Sequence, residues 1–133
     1  MNRGQFDELS SQIISAAIEV HKALGPGLLE SAYEKCLCRE LELRDVPFVQ
    51  QQPVPVEYKG VRLECGYRLD LCVAGRIVIE VKSVSELSKI HDAQVLTYLR
   101  LTGMSLGLIL NFNVALMKDG IRRIVHNFKD DSP

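Results

Sequence analysis

Hydrophobic residues at the start of the chain recur every three or four positions. Phe6, Leu9, Ile13, Ala17, Val20 and Leu24 fall on one stripe of an amphipathic helix, which Gly25-Pro26 stops. The spacing predicts a second helix from about Leu29 to Arg44. From Val54 to Val81 the period changes to two, as in strands. Lys59-Gly60 suits a tight hairpin turn that pairs Tyr58 with Val61 and Val56 with Leu63. The same apolar face continues as Cys65, Tyr67, Leu69, Leu71 and Val73, and Glu64, Gly66, Arg68, Asp70 and Cys72 form a mostly polar reverse face.

The next strand, Arg76 to Lys82, sets Ile77, Ile79 and Val81 against Val78, Glu80 and Lys82. Parity decides how it joins its neighbour. A two-residue Ala74-Gly75 loop would put Asp70 opposite Ile79 and mix polar with apolar faces. A three-residue loop through Arg76 pairs Val73 with Ile77, Leu71 with Ile79 and Leu69 with Val81, keeping the faces pure. A helix from about Glu86 to Leu101 follows, then the apolar run Leu106 to Leu110 as a buried strand and a last strand near Ile121 to Asn127. The pattern predicts an α/β domain over residues 1–133, with helices before and after a three-stranded meander.

Composition narrows the function classes. A chain of 133 residues with 47% hydrophobic and 25% charged residues has the apolar content for one core, which excludes intrinsic disorder. Sixteen Lys and Arg against seventeen Asp and Glu leave a net charge of −1, so no global basic footprint announces nucleic acid. An anionic partner must be held locally, and Lys118, Arg122 and Arg123 form only a modest cluster. No stretch has the apolar length of a membrane span and the first residues lack a signal-peptide core, so a cytoplasmic location is expected. Cys36, Cys38, Cys65 and Cys72 form no CxxC pair and lack zinc-finger spacing to His, so they read as reduced, packing thiols. His21, His91 and His126 receive no catalytic role.

The three-residue register sets Asp70 across from Glu80, with Cβ atoms about 4.5–5.5 Å apart. Two like charges so placed are destabilising unless one carboxyl keeps a proton or a cation sits between them, and oxygen donors of this kind suit Mg2+ or Mn2+. Lys82 points to the same side. A solvated ion-pair network would show the same residues, but the apolar reverse face ties these strands into the core. Glu30 lies in the first turn of the second helix, where a carboxylate also complements the helix dipole. Gln94 and Tyr98 are neighbours at i, i+4 on a largely apolar helix face, where a buried Gln needs a partner.

Gly27-Leu28-Leu29-Glu30-Ser31-Ala32-Tyr33 resembles the signature of the GxxExxY protein family. The order Glu30, Asp70, Glu80-Val81-Lys82, Gln94 and Tyr98 resembles the PD-(D/E)xK nuclease superfamily, especially its RecB-like exonuclease branch with a QxxxY motif. Leu69 stands where the superfamily's eponymous proline would precede Asp70. The resemblance implies a restriction-endonuclease-like core, a central mixed β-sheet flanked by α-helices. It implies a metal-dependent nuclease in which Asp70 and Glu80 ligate Mg2+ or Mn2+, with the Val81 carbonyl and with Glu30 directly or through water. Lys82 would position the attacking water or stabilise charge on the phosphorane, Gln94 would orient Lys82, the water or the phosphate, and Tyr98 would contact a phosphate or an unpaired base. The implied partner is nucleic acid, DNA ahead of RNA, with a homodimer or a partner protein as a way to complete a basic channel. The alternative is a non-catalytic module that uses the same face to bind nucleic acid or protein.

Overall fold

A computed structural model describes residues 1–128; residues 129–133 of the expected domain lie outside the described residues. The first helix, α1 (Arg3–Leu24), opens where the Asn2 and Gln5 side chains each accept the other's backbone N–H at 2.9 Å. It ends at Gly25, whose φ of 69° is open to a residue without Cβ. The second helix, α2 (Glu30–Leu43), lies within a residue of its expected bounds. The third, α3 (Lys89–Thr102), starts later than its periodicity predicts. Ser88 sets that end: its N–H donates to His91 Nδ1 at 3.0 Å, and the His91 N–H returns to the Ser88 carbonyl at 3.1 Å.

Five strands, β1 (Phe48–Tyr58), β2 (Val61–Val73), β3 (Ile77–Lys82), β4 (Leu106–Asn111) and β5 (Ile121–Val125), form one sheet in the order β1-β2-β3-β4-β5. All neighbours are antiparallel except β3 and β4, which are parallel and joined through α3. This is the mixed α/β sheet expected. The last strand stops at Val125 instead of Asn127, where the His126 N–H turns to the Ser105 carbonyl at 2.9 Å. β1 begins at Phe48, well ahead of the Val54 at which alternation becomes visible. Gln50, Gln51, Gln52, Pro53 and Pro55 hide it in sequence, and the prolines are tolerated because β1 is an edge strand with a register shift between Val54 and Val56.

Alternation along the central strands sorts the core into two layers. Ile77, Ile79 and Val81 of β3 with Leu106, Leu108 and Leu110 of β4 pack under α1 and α2. Val78 and Ile109 pack with Val95, Tyr98 and Leu99 of α3 on the other face. Glu80, with the parity of Val78, therefore lies on the α3 side of the sheet. Gly107 of β4 makes the close approach of α3 possible, because a Cβ there would sit 2.7 Å from Val95 Cγ1.

Two surface expectations need correction. The apolar face of the β1–β2 hairpin is not buried along its length: Tyr58, Val61, Leu63 and Tyr67 are exposed, because most of this two-stranded ribbon runs past the end of β3. Cys38 and Cys72 are buried free thiols, but Cys65 is an exposed one on the same ribbon. The basic cluster is largely spent on ion pairs, since Arg122 grips Asp92 with both carboxylate oxygens at 3.0 Å and Arg123 lies 3.8 Å from Asp7. Among the described residues, no helix is long and apolar enough to cross a membrane. Gly107→Ala should cost about 1–3 kcal/mol by overpacking against the stiff Val95, read as a lower urea midpoint at unchanged m-value.

Candidate active site

β2 and β3 pair through Leu71↔Ile79, Cys72↔Val78 and Val73↔Ile77, the register of the three-residue loop, and Arg76 N–H closes the turn on the Val73 carbonyl at 2.9 Å. The ladder then ends. The expected pairs Asp70 with Glu80 and Leu69 with Val81 do not continue it, because side chains take over the backbone groups. Asp70 Oδ2 accepts the Val81 N–H at 2.8 Å, and Glu80 Oε1 accepts the Asp70 N–H at 3.3 Å. Each carboxylate is thus held by the other's strand. Leu69 leaves its row at this point and packs in the α3 layer, while Leu71 and Val73 pack under α1 and α2.

Glu80 is only 4% exposed. Burial first, and then the Asp70 charge, push its carboxyl up to about 8. Asp70 is also raised, by burial foremost and by Glu34, against the pull of the Val81 N–H and the Lys82 ammonium. Burial and the charge of Asp70 both favour the protonated Glu80 carboxyl, so the pair favours holding a proton when no cation is present.

Lys82, at the end of β3, donates from Nζ to Gln94 Oε1 at 3.3 Å, and Gln94 Nε2 donates to the Tyr98 hydroxyl at 3.4 Å. The i, i+4 pair on α3 is therefore the lysine's own anchor. Burial and the nearby Glu80 keep the Tyr98 hydroxyl protonated by raising its pKa. Beside this row opens a groove of about 720 Å³, walled by Val56 and Tyr67 of the ribbon and by Ile90, His91, Gln94, Tyr98 and Leu101 of α3, with Lys82 in its lining.

Glu30 reaches the end of β3 from the α2 side. Its Oε1 accepts the Ser83 N–H at 3.3 Å, and the Ser83 hydroxyl donates to the Leu28 carbonyl at 2.6 Å. Tyr33 fixes that loop: its hydroxyl donates to the Gly25 carbonyl at 2.6 Å and accepts the Leu28 N–H at 3.1 Å, and its ring stacks on Phe112 at 4.6 Å. Among the described residues, no three of His, Cys, Asp and Glu gather as a metal cluster. The oxygen donors at hand are those of Asp70 and Glu80, each with one oxygen on a backbone N–H and Asp70 Oδ1 also 3.4 Å from Gln51 Nε2. Such an all-oxygen pair fits Mg2+, which keeps several waters and takes one or two carboxylates.

Two neighbours escaped the sequence reading. Gln51 lies between the pairs Gln50↔Leu71 and Gln52↔Leu69, and its φ of 54° is rare for a side-chain-bearing residue in a strand. From there its Nε2 lies 3.0 Å from both Glu34 carboxylate oxygens and 3.4 Å from Asp70 Oδ1, while its carbonyl accepts from Arg68 at 3.1 Å. Glu34 carried a signal, one helical turn beyond Glu30 on the same face of α2. Gln51 carried none, since its role depends on a backbone irregularity.

No curated protein matches the chain. A family model for the PD-(D/E)XK nuclease superfamily matches residues 7–124, a span that contains Glu30, Asp70, Glu80, Lys82, Gln94 and Tyr98. With nearly its whole length matched and a mixed five-stranded sheet carrying the acidic pair and the lysine on adjacent strands, the chain belongs to the PD-(D/E)XK nuclease superfamily.

Proposed function

We propose that the protein is a metal-dependent phosphodiesterase that cuts nucleic acid, DNA ahead of RNA, at the carboxylate pair. The observation that carries this reading is the interlock of Asp70 and Glu80 beside Lys82: a buried and a half-buried acid, each held by a backbone N–H of the other's strand, are costly to the fold, and a divalent cation offsets that cost. The Gly27 to Tyr33 segment supports placing the chain in the GxxExxY family, and Gln94 with Tyr98 supports the RecB-like branch.

Asp70 and Glu80 would hold the ion, with the Val81 carbonyl as a further donor and Glu30 acting directly or through water. A Mg2+ or Mn2+ ion bound there supplies Lewis-acid polarisation of the scissile phosphodiester and a lowered pKa for the attacking water. Lys82 positions that water and stabilises the charge that develops on the phosphorane. Gln94 keeps the ammonium in place through Oε1, and its amide in turn orients the Tyr98 hydroxyl toward a phosphate oxygen.

Cleavage of labelled single- and double-stranded DNA and RNA in Mg2+, Mn2+ or EDTA tests the proposal. Asp70→Ala and Lys82→Ala, with folding checked by circular dichroism, should each lower the rate by at least about 100-fold. Absence of cutting on every substrate, with no Mn2+ binding by calorimetry, would leave a binding module on a nuclease-like fold.

The raised carboxyl pKa gives a second expectation. Metal ligands must lose their protons, so Mg2+ affinity should fall as pH drops below about 8, by up to about tenfold per unit, in calorimetric titrations. Stability without metal should move the other way. A Glu80 carboxyl at about 8 in the folded state, against 4.5 for a free one, binds a proton more tightly when folded. Its contribution is therefore complete below about 4.5 and is lost as pH rises through about 8. At about 1.4 kcal/mol per unit this amounts to a few kcal/mol. Urea melts in EDTA should show that decline, and Glu80→Gln should flatten it.

A further inference from the structure

The groove beside the carboxylate pair has the wrong chemistry for a duplex and the right chemistry for unstacked bases. Val56, Tyr67, Ile90, Tyr98 and Leu101 make its walls largely apolar and aromatic, and Ile90 is 72% exposed at its lip. Among the described residues in its lining, Lys82 is the one fixed cation, and that ammonium is already anchored on Gln94. Double-stranded DNA carries a charge every ~1.7 Å of its axis and is held chiefly through several phosphate contacts. It also hides the faces of its bases, so apolar walls would have nothing to cover. An unpaired base offers both of its π faces, and stacking on aromatic side chains is how proteins hold single strands without reading sequence.

Continuity of the polymer selects the occupant. A phosphate seated at Asp70, Glu80 and Lys82 brings its attached nucleotide with it, and Tyr98 and Lys82 belong both to the catalytic row and to the groove lining. Tyr67 completes the opposite wall from the ribbon. We infer that the groove is a base-binding subsite and that the substrate is single-stranded nucleic acid, with bases flanking the cut stacked between Tyr67 and the Tyr98 side of α3. This inference deepens the phosphodiesterase reading and rests on it for the position of the phosphate.

The test is fluorescence anisotropy with the full chain in Ca2+, gels confirming intact probes, on three ligands of one length: a labelled oligothymidine, the same backbone with abasic sites, and a duplex. The oligothymidine should bind at least about tenfold more tightly than the abasic strand or the duplex. Tyr67→Ala should weaken it at least about fivefold, with Tyr67→Phe close to the parent. Tyr58→Ala, an exposed ribbon aromatic outside the groove, should leave binding unchanged. Equal binding of the abasic strand or the duplex would overturn the inference. So would a Tyr67→Ala change that alters self-association in sedimentation and leaves oligonucleotide binding untouched, which would make the groove a protein-docking surface. The same samples moved into Mg2+ separate the two readings: base-dependent binding without any cleavage counts against the phosphodiesterase and for the groove, and cleavage indifferent to pairing or bases does the reverse.

Discussion

The pair of side-chain hydrogen bonds exchanged across β2 and β3, Asp70 N–H to the Glu80 carboxylate and Val81 N–H to the Asp70 carboxylate, is the constraint around which the centre of the molecule is arranged. An antiparallel pair of strands normally satisfies its own amides. Here two of those amides are given to side chains, so the ladder between β2 and β3 ends beyond Leu71 and Ile79. The end of the ladder frees the outer half of β2 from β3 and opens a groove between the ribbon and α3. One local substitution of acceptors therefore produces both the acidic pair and the surface next to it.

That arrangement stands on a rigid frame on either side. Behind β3, Tyr33 and Ser83 tie the loop between α1 and α2 to the strand end, so Glu30 approaches on fixed backbone. Asn111 adds to this from β4, with its side chain bonded to both the N–H and the carbonyl of Val84 at 3.1 and 3.0 Å. In front, the close seating of α3 over Gly107 sets the height of Gln94 and Tyr98 above the sheet. Sites built on regular elements in this way hold their geometry better than sites built on loops.

Much of this was legible from alternation alone. Parity of apolar residues around Ala74, Gly75 and Arg76 was enough to choose the loop and to bring Asp70 to Glu80, because a slip of one residue would have turned Leu71 and Val73 outward. Periodicity was blind where a side chain replaces a backbone partner, so it extended the ladder past Leu71. It also missed the left-handed Gln51, and the beginning of β1 lay under glutamines and prolines that are acceptable only on an edge. Tyr67 was misjudged for a related reason: a period of two tells which residues share a face, but the length of the neighbouring strand decides whether that face is covered.

The outer half of β2 has a consequence for the protein in crowded solution. From Val61 to Arg68 it pairs with β1 on one side and, among the described residues, has no strand on the other, which is the kind of open edge that recruits further strands into aggregates. Arg62, Glu64 and Arg68 place charges along it, and Gly66, at a φ of 79°, breaks its regularity. The ribbon thus keeps its open margin single by electrostatic and conformational roughness, and smoothing it with uncharged β-branched residues would turn the same margin into a seed for fibrils.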